Sequence, residues 1–188
     1  ADTATLEHAE SLNLPDSLSE RVRTVARRSM LNLRVGTDAR TGAIVASITR
    51  QPSYGADWPR DGAFFNMALD ISGQIDLATK RAELYDGWQR KERAESSLFF
   101  DSDIPTDPDT GEATHFPSGG WEMNYYADGV PAGFYRFEID NVGFSLWMMS
   151  IHAGYHESPA RYLRERWPAI ELAADLLVRW RDADTGLH

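Results

Sequence analysis

The chain has 188 residues, with 19 Lys+Arg against 29 Asp+Glu for a net charge of −10, and 42% of its residues are hydrophobic. That length suits one domain or part of a larger one, and the composition argues against wholesale disorder. A pI near 4.9 without a Lys/Arg cluster repels a phosphate backbone, which argues against nucleic acid as a partner. No apolar run approaches the ~18 residues that argue for a membrane span, so the reading carries no membrane partner. Cysteine is absent, which removes disulfides, thiol nucleophiles and Cys-ligated zinc without settling the compartment.

In chain order, the first predicted helix covers Ser17 to Leu33. Ser17 and Glu20 form a capping box, and Leu18, Val22, Val25, Ala26, Ser29, Met30 and Leu33 make an inward stripe. Gly36 and Thr41-Gly42 mark turns around the short extended run Ala43–Ala46. A second helix starts at Pro59, carries Ala63, Phe64, Met67, Ala68 and Ile71, and ends at Gly73. Asp76 caps a third, whose face is Leu77, Arg81, Leu84, Tyr85 and Trp88. From Asp101 to Phe137 the helical period is lost in a stretch with four prolines, five glycines and seven aromatics, which reads as a binding loop. Asp140 caps a further helix with Phe144, Trp147, Met148 and Ile151 on one face and Gly154 near its end. Ser158-Pro159 opens a short helical turn, and Pro168 opens a last helix bearing Ile170, Ala173, Leu176, Leu177 and Trp180. The sum is an all-α chain of helical hairpins.

No phosphate loop, dinucleotide fingerprint, nucleophile elbow or HExxH zinc motif is present. His152 and His156 are four apart, but no third ligand is obvious, and surface or satisfied histidines are the favoured reading. The acidic run Asp101–Glu112 has calcium-like spacing but carries Thr106 where the sharp turn needs Gly, so it reads as a solvated loop. The reading assigns no metal and no cofactor.

The informative cluster is Tyr54-Gly55-Ala56-Asp57-Trp58-Pro59-Arg60-Asp61-Gly62 at the mouth of the second helix. A carboxylate accepts from vicinal hydroxyls, a guanidinium donates in a fixed fork, and an aromatic ring covers the apolar face of a sugar. The helix dipole helps keep Asp61 charged. The alternative from the residues alone is that Trp58 is core while Arg60 and Asp61 cap or pair. Trp121, Tyr125-Tyr126 and the Phe134–Arg136 segment offer further aromatic wall.

Several segments resemble the bacterial glucoamylase-type enzymes of glycoside hydrolase family 15. Thr37–Ser47 is similar to that family's TD-x-x-TGAIVAS stretch, Trp58-Pro59-Arg60-Asp61 to its W-x-RD motif, and Tyr54 falls at its matching tyrosine. Arg136–Gly143 resembles the opening of the next inner helix, and Trp180–His188 the helix exit before the acid-bearing loop. The resemblance implies an (α/α)6 toroid of helical hairpins, present here only in part, with residues 1–188 its N-terminal portion. It implies inverting, exo-acting hydrolysis of α-glucosides, with α-glucans, isomalto-oligosaccharides or trehalose as substrate. Arg60 and Asp61 would grip the terminal sugar, Tyr54 and Trp58 would line its subsite, and Arg136 and Asp140 would lie near the same pocket. Phe134 falls where fungal members carry tryptophan. The general acid and base would lie beyond His188, in the missing part of the domain. The competing readings are a non-catalytic carbohydrate-binding helical domain and another (α/α)6 carbohydrate enzyme.

Overall fold

The computed structural model describes residues 12, 14–49, 54–92, 94–97, 115–132 and 137–187. Five α-helices dominate them: α1 (Glu20–Val35), α2 (Pro59–Ile71), α3 (Ile75–Trp88), α4 (Ile139–Ala153) and α5 (Pro159–Arg179). One small antiparallel ribbon, β1 (Ala94–Ser97) with β2 (His115–Phe116), completes the set. The fold is all-α, as the periodicity predicts.

α2 and α3 form one helical hairpin and α4 and α5 another, and the two hairpins meet along α2 and α4. These two helices run in the same direction although about eighty residues separate them. At one end the Arg60 amide donates to Asn141 Oδ1 at 3.1 Å; at the other, His152 Nδ1 sits 2.7 Å from Asp70 Oδ1. First turns therefore meet first turns, and last turns meet last turns. Trp121, Tyr85, Val142, Met149 and Leu176 build the main core under this junction. A second cluster of Leu12, Met30, Ile44, Leu69 and Ala78 seats α1 on α2 and α3. No helix among the described residues is long and apolar enough to cross a membrane.

Several expectations need correction. Ser19, not Ser17, caps α1, accepting the Val22 amide at 3.4 Å. Of its expected stripe only Met30 is fully buried, whereas Val22, Val25 and Ser29 are exposed. Asp76 and Asp140 each lie inside the first turn of their helices, with Gln74 and Glu138 at the caps. In those places the carboxylates still face the positive end of a helix dipole. α4 buries Asn141, Ser145, Met148, Met149 and His152, while Phe144, Trp147 and Ile151 lie on its half-covered flank.

Pro168 does not open a new helix. It lies inside α5, which runs unbroken for 21 residues. Tyr162, Ala169, Ala173 and Leu176 form one buried stripe across it. Packing that whole stripe against α4 offsets the ~3 kcal/mol that an interior proline costs a helix.

Candidate functional site

The parallel first turns of α2 and α4 collect charge at one end of the hairpin pair. Arg60 Nη1 donates to Asp140 Oδ2 at 2.9 Å and to Glu138 Oε2 at 3.4 Å, and its Nε lies 3.8 Å from Asp61 Oδ2. All four side chains keep between 31 and 42% of their surface exposed, so they line an open patch. Three carboxylates share one guanidinium. The hydrogen bond that Arg60 donates to Asp140 raises the Arg60 pKa further, keeping it cationic. Burial pushes the Asp61 carboxyl above the ordinary range despite Arg60 beside it, and burial does the same to Glu138.

Two aromatics flank this patch. Tyr54 is 46% exposed and meets the half-buried Trp58 edge to face, with ring centroids 5.4 Å apart. Trp58 is also the N-cap residue of α2, two residues before Arg60 and three before Asp61. An accessible tyrosine–tryptophan pair beside charged acceptors and donors has the parts a sugar ring needs: an apolar face to cover and hydroxyls to bind. Further along, Phe64, Phe144 and Trp147 pack with centroids 5.3 and 5.4 Å from Phe64, and a shallow groove of about 360 Å³ runs over Phe144 and Trp147 to Asp140.

Tyr54, Trp58, Arg60, Asp61 and Asp140 are thus neighbours, and Glu138 joins them. Trp121 is not part of the patch. It is fully buried, and its indole N–H donates to the Tyr85 carbonyl at 2.8 Å. Tyr125 is likewise core, stacked on Trp88 with centroids 4.5 Å apart. The segment 115–132 does lie beside the patch, because Asp57 and Tyr125 exchange two backbone hydrogen bonds of 2.9 Å. Its buried aromatics pack beneath the patch and do not wall it. Arg136 and Phe134 fall outside the described residues, as does the acidic run 101–112.

Sequence reasoning also passed over a buried ionic cluster directly under Trp58. Arg81 and Asp57 are 0 and 1% exposed. Arg81 Nη1 donates to Asp57 Oδ2 and to the Gly42 carbonyl, both at 2.9 Å, and the Tyr85 hydroxyl donates to Asp57 Oδ1. Burial works against the charge of Arg81, but Asp57 and Tyr85 together outweigh it and raise its pKa. Burial also pushes the Tyr85 phenol well above its usual range. Gly62 is obligatory here, since a Cβ would stand 2.0 Å from the Tyr85 oxygen. The available signal was an arginine on an otherwise apolar helix face, four residues before a tyrosine.

His152 proves to be a structural histidine. It bridges helices, with Nδ1 on Asp70 and Nε2 3.0 Å from the Thr79 hydroxyl, and it is fully buried.

No family model matches the chain. It is 26% identical over 160 residues to a Methanocaldococcus jannaschii protein named as an uncharacterized glycosyl hydrolase, covering 85% of this chain and 21% of that one. Among solved structures, a wild-type glycosidase is 25% identical with a TM-score of 0.60, and a variant glycosidase is 24% identical with a TM-score of 0.61. Each covers all of this chain, which in turn spans 46% of theirs. The chain is thus related to proteins named as glycoside hydrolases, and these names carry the relationship no further into a family.

Proposed function

We propose that this protein carries the sugar-gripping part of an inverting, exo-acting α-glucoside hydrolase that releases glucose from a non-reducing chain end. The observation that supports it most is the meeting of two parallel helix N-termini, which gathers Trp58, Arg60, Asp61, Glu138 and Asp140 in one open patch. The terminal glucose stacks on Trp58 and Tyr54. Asp61 accepts from adjacent hydroxyls, and the guanidinium hydrogens of Arg60 not used by Asp140 and Glu138 donate to the ring's oxygens. In this reading the 188 residues belong to one glucoamylase-like (α/α)6 domain, Arg136 joins the same pocket, and the general acid and base lie beyond His188. Inversion then needs two carboxyls ~6.5–9.5 Å apart, one protonating the leaving oxygen and one activating water. The relatedness to glycoside hydrolases and the all-α hairpin architecture support the reading.

Calorimetric titration with methyl α-glucoside tests it. Asp61→Ala and Arg60→Ala remove charge-assisted hydrogen bonds worth ~1.5–3 kcal/mol each, so both should weaken binding at least tenfold while the helical circular dichroism persists. Parent-like binding by both variants, or no binding by the parent, refutes the site. Turnover of maltose or isomaltose by the 188 residues alone would instead place an acid within them, with Glu138, whose carboxyl burial already raises, the first to replace.

A further inference from the structure

The Thr37–Ser47 stretch contributes no side chain to the sugar patch, yet its hydrogen bonds converge on it. Asp38 Oδ1 accepts the Arg40 and Thr41 amides at 2.9 Å each, folding the loop into a tight turn that Gly42 completes at φ +85°. Beyond the turn, three amides point toward the 54–57 segment, while that of Val45 turns back to the Gly36 carbonyl at 3.0 Å. Ile44 donates to Asp57 Oδ2 at 2.7 Å, Ala46 to the Ala56 carbonyl at 2.8 Å, and Ser47 to the Tyr54 carbonyl at 3.1 Å. Arg81 ties the same loop down from below, reaching the Gly42 carbonyl and Asp57 with one nitrogen. The Tyr85 hydroxyl adds the Trp58 carbonyl at 3.3 Å to its bond with Asp57. On the opposite side, Tyr125 takes both backbone groups of Asp57.

From these contacts we infer that the Thr37–Ser47 loop and the buried Asp57–Arg81–Tyr85 cluster are one positioning device for the sugar patch. The inference rests on the glucoside reading of Tyr54, Trp58, Arg60 and Asp61, and it adds Asp38, Arg81 and Tyr85 as positioning residues that touch no ligand. The backbone carbonyls of Tyr54, Ala56, Asp57 and Trp58 are all engaged, so the path into α2 is held from three sides. A ring-stacking residue and a hydroxyl-binding carboxylate must be held within about 0.5 Å to act together. A loop approaching a helix N-terminus through unbonded backbone would not achieve that. Burying an arginine and an aspartate to hold it is costly unless their hydrogen bonds are satisfied; both Asp57 oxygens and the Arg81 Nη1 are, while Arg81 Nε has no hydrogen-bond partner among the described residues.

The test compares Tyr85→Phe and Asp38→Ala with Thr79→Val, which removes a partly buried hydroxyl from the His152 bridge outside the device. Each variant is measured for stability and for methyl α-glucoside affinity. Tyr85→Phe and Asp38→Ala should each weaken affinity about tenfold, the loss expected when a charge-assisted hydrogen bond stops fixing the geometry. Asp38→Asn, which keeps an acceptor for the turn amides, should stay within about twofold of the parent, and so should Thr79→Val despite its lower stability. Parent-like affinity in Tyr85→Phe and Asp38→Ala, or an equal loss in Thr79→Val, overturns the inference. A ligand-free readout separates its failure from that of the sugar reading. Amide exchange in Tyr85→Phe should accelerate about tenfold over residues 44–49 and 54–62 while that around His152 is unchanged. Acceleration spread evenly over the chain overturns the device even if no glucoside binds.

Discussion

Replacing Arg81 by methionine is the sharpest perturbation of the fold that presents the site. The substitution keeps most of the side-chain volume and removes the donors to both Asp57 oxygens and to the Gly42 carbonyl. Asp57 is left as a buried carboxylate with only the Ile44 amide and the Tyr85 hydroxyl. Breaking a buried pair on one side costs about 3–5 kcal/mol, a large part of the ~5–15 kcal/mol that stabilises a typical domain. Asp57→Asn in the same chain removes the stranded charge, so the double variant should be less destabilised than the sum of the two single changes, by about 1–3 kcal/mol. Urea unfolding followed by circular dichroism reads both quantities. With a slope near 2 kcal/mol/M, Arg81→Met should lower the midpoint by about 1.5–2.5 M. A loss below about 1 kcal/mol, or strict additivity in the cycle, would mean that the ion pair is not buried as described.

Three further outcomes follow from the same geometry. Glu138→Gln should stabilise the protein at pH 7 by up to about 1 kcal/mol, the scale of partly exposed ion pairs. The Glu138 carboxyl titrates higher in the folded state, mainly through burial, so the folded form binds its proton more tightly. The parent therefore loses stability as pH rises from the ordinary carboxylate range through the raised folded value, and the variant's advantage should vanish below about pH 4; a less stable variant at pH 7 contradicts this. Asp70→Ala should cost about 2–3 kcal/mol in the same unfolding assay by stranding the buried His152, and a change under 0.5 kcal/mol, as at an ordinary surface position, would remove the helix bridge. Pro168→Ala should raise stability by about 1–2 kcal/mol, because it restores an amide to the interior of α5 while giving back some freedom to the unfolded chain; a loss of similar size would show that the helix is built around the proline.

Much of the architecture was legible because its signals are local. Pro59, Gly73 and Gly154 mark helix ends within a residue or two, and the Arg60–Asp61 pair at the start of α2 reads directly as a polar patch. What was not legible depends on partners far apart in the chain. Pro168 is a helix breaker by local rules, and only the continuous stripe from Tyr162 to Leu176 against α4 overrides it. Trp121 looks like site wall in a loop rich in glycine, but its indole finds the Tyr85 carbonyl and is fully buried. Glu138 enters the patch only because α2 and α4 lie side by side in parallel, an arrangement no window of sequence contains. Asp57 sits inside the informative cluster, yet its side-chain partners Ile44, Arg81 and Tyr85 come from two other segments.

The central claim is that the joined first turns of α2 and α4 hold a sugar, and an NMR titration with methyl α-glucoside tests it most directly. Amide and indole resonances are followed in the parent protein without any need for turnover. The account predicts saturable shifts at the Trp58 indole and at the amides of Arg60, Asp61 and Asp140, with the Thr79 and His156 resonances unmoved. No saturable shifts at these positions, or shifts centred instead on the cleft that Thr79, Lys80 and His156 line, would contradict it.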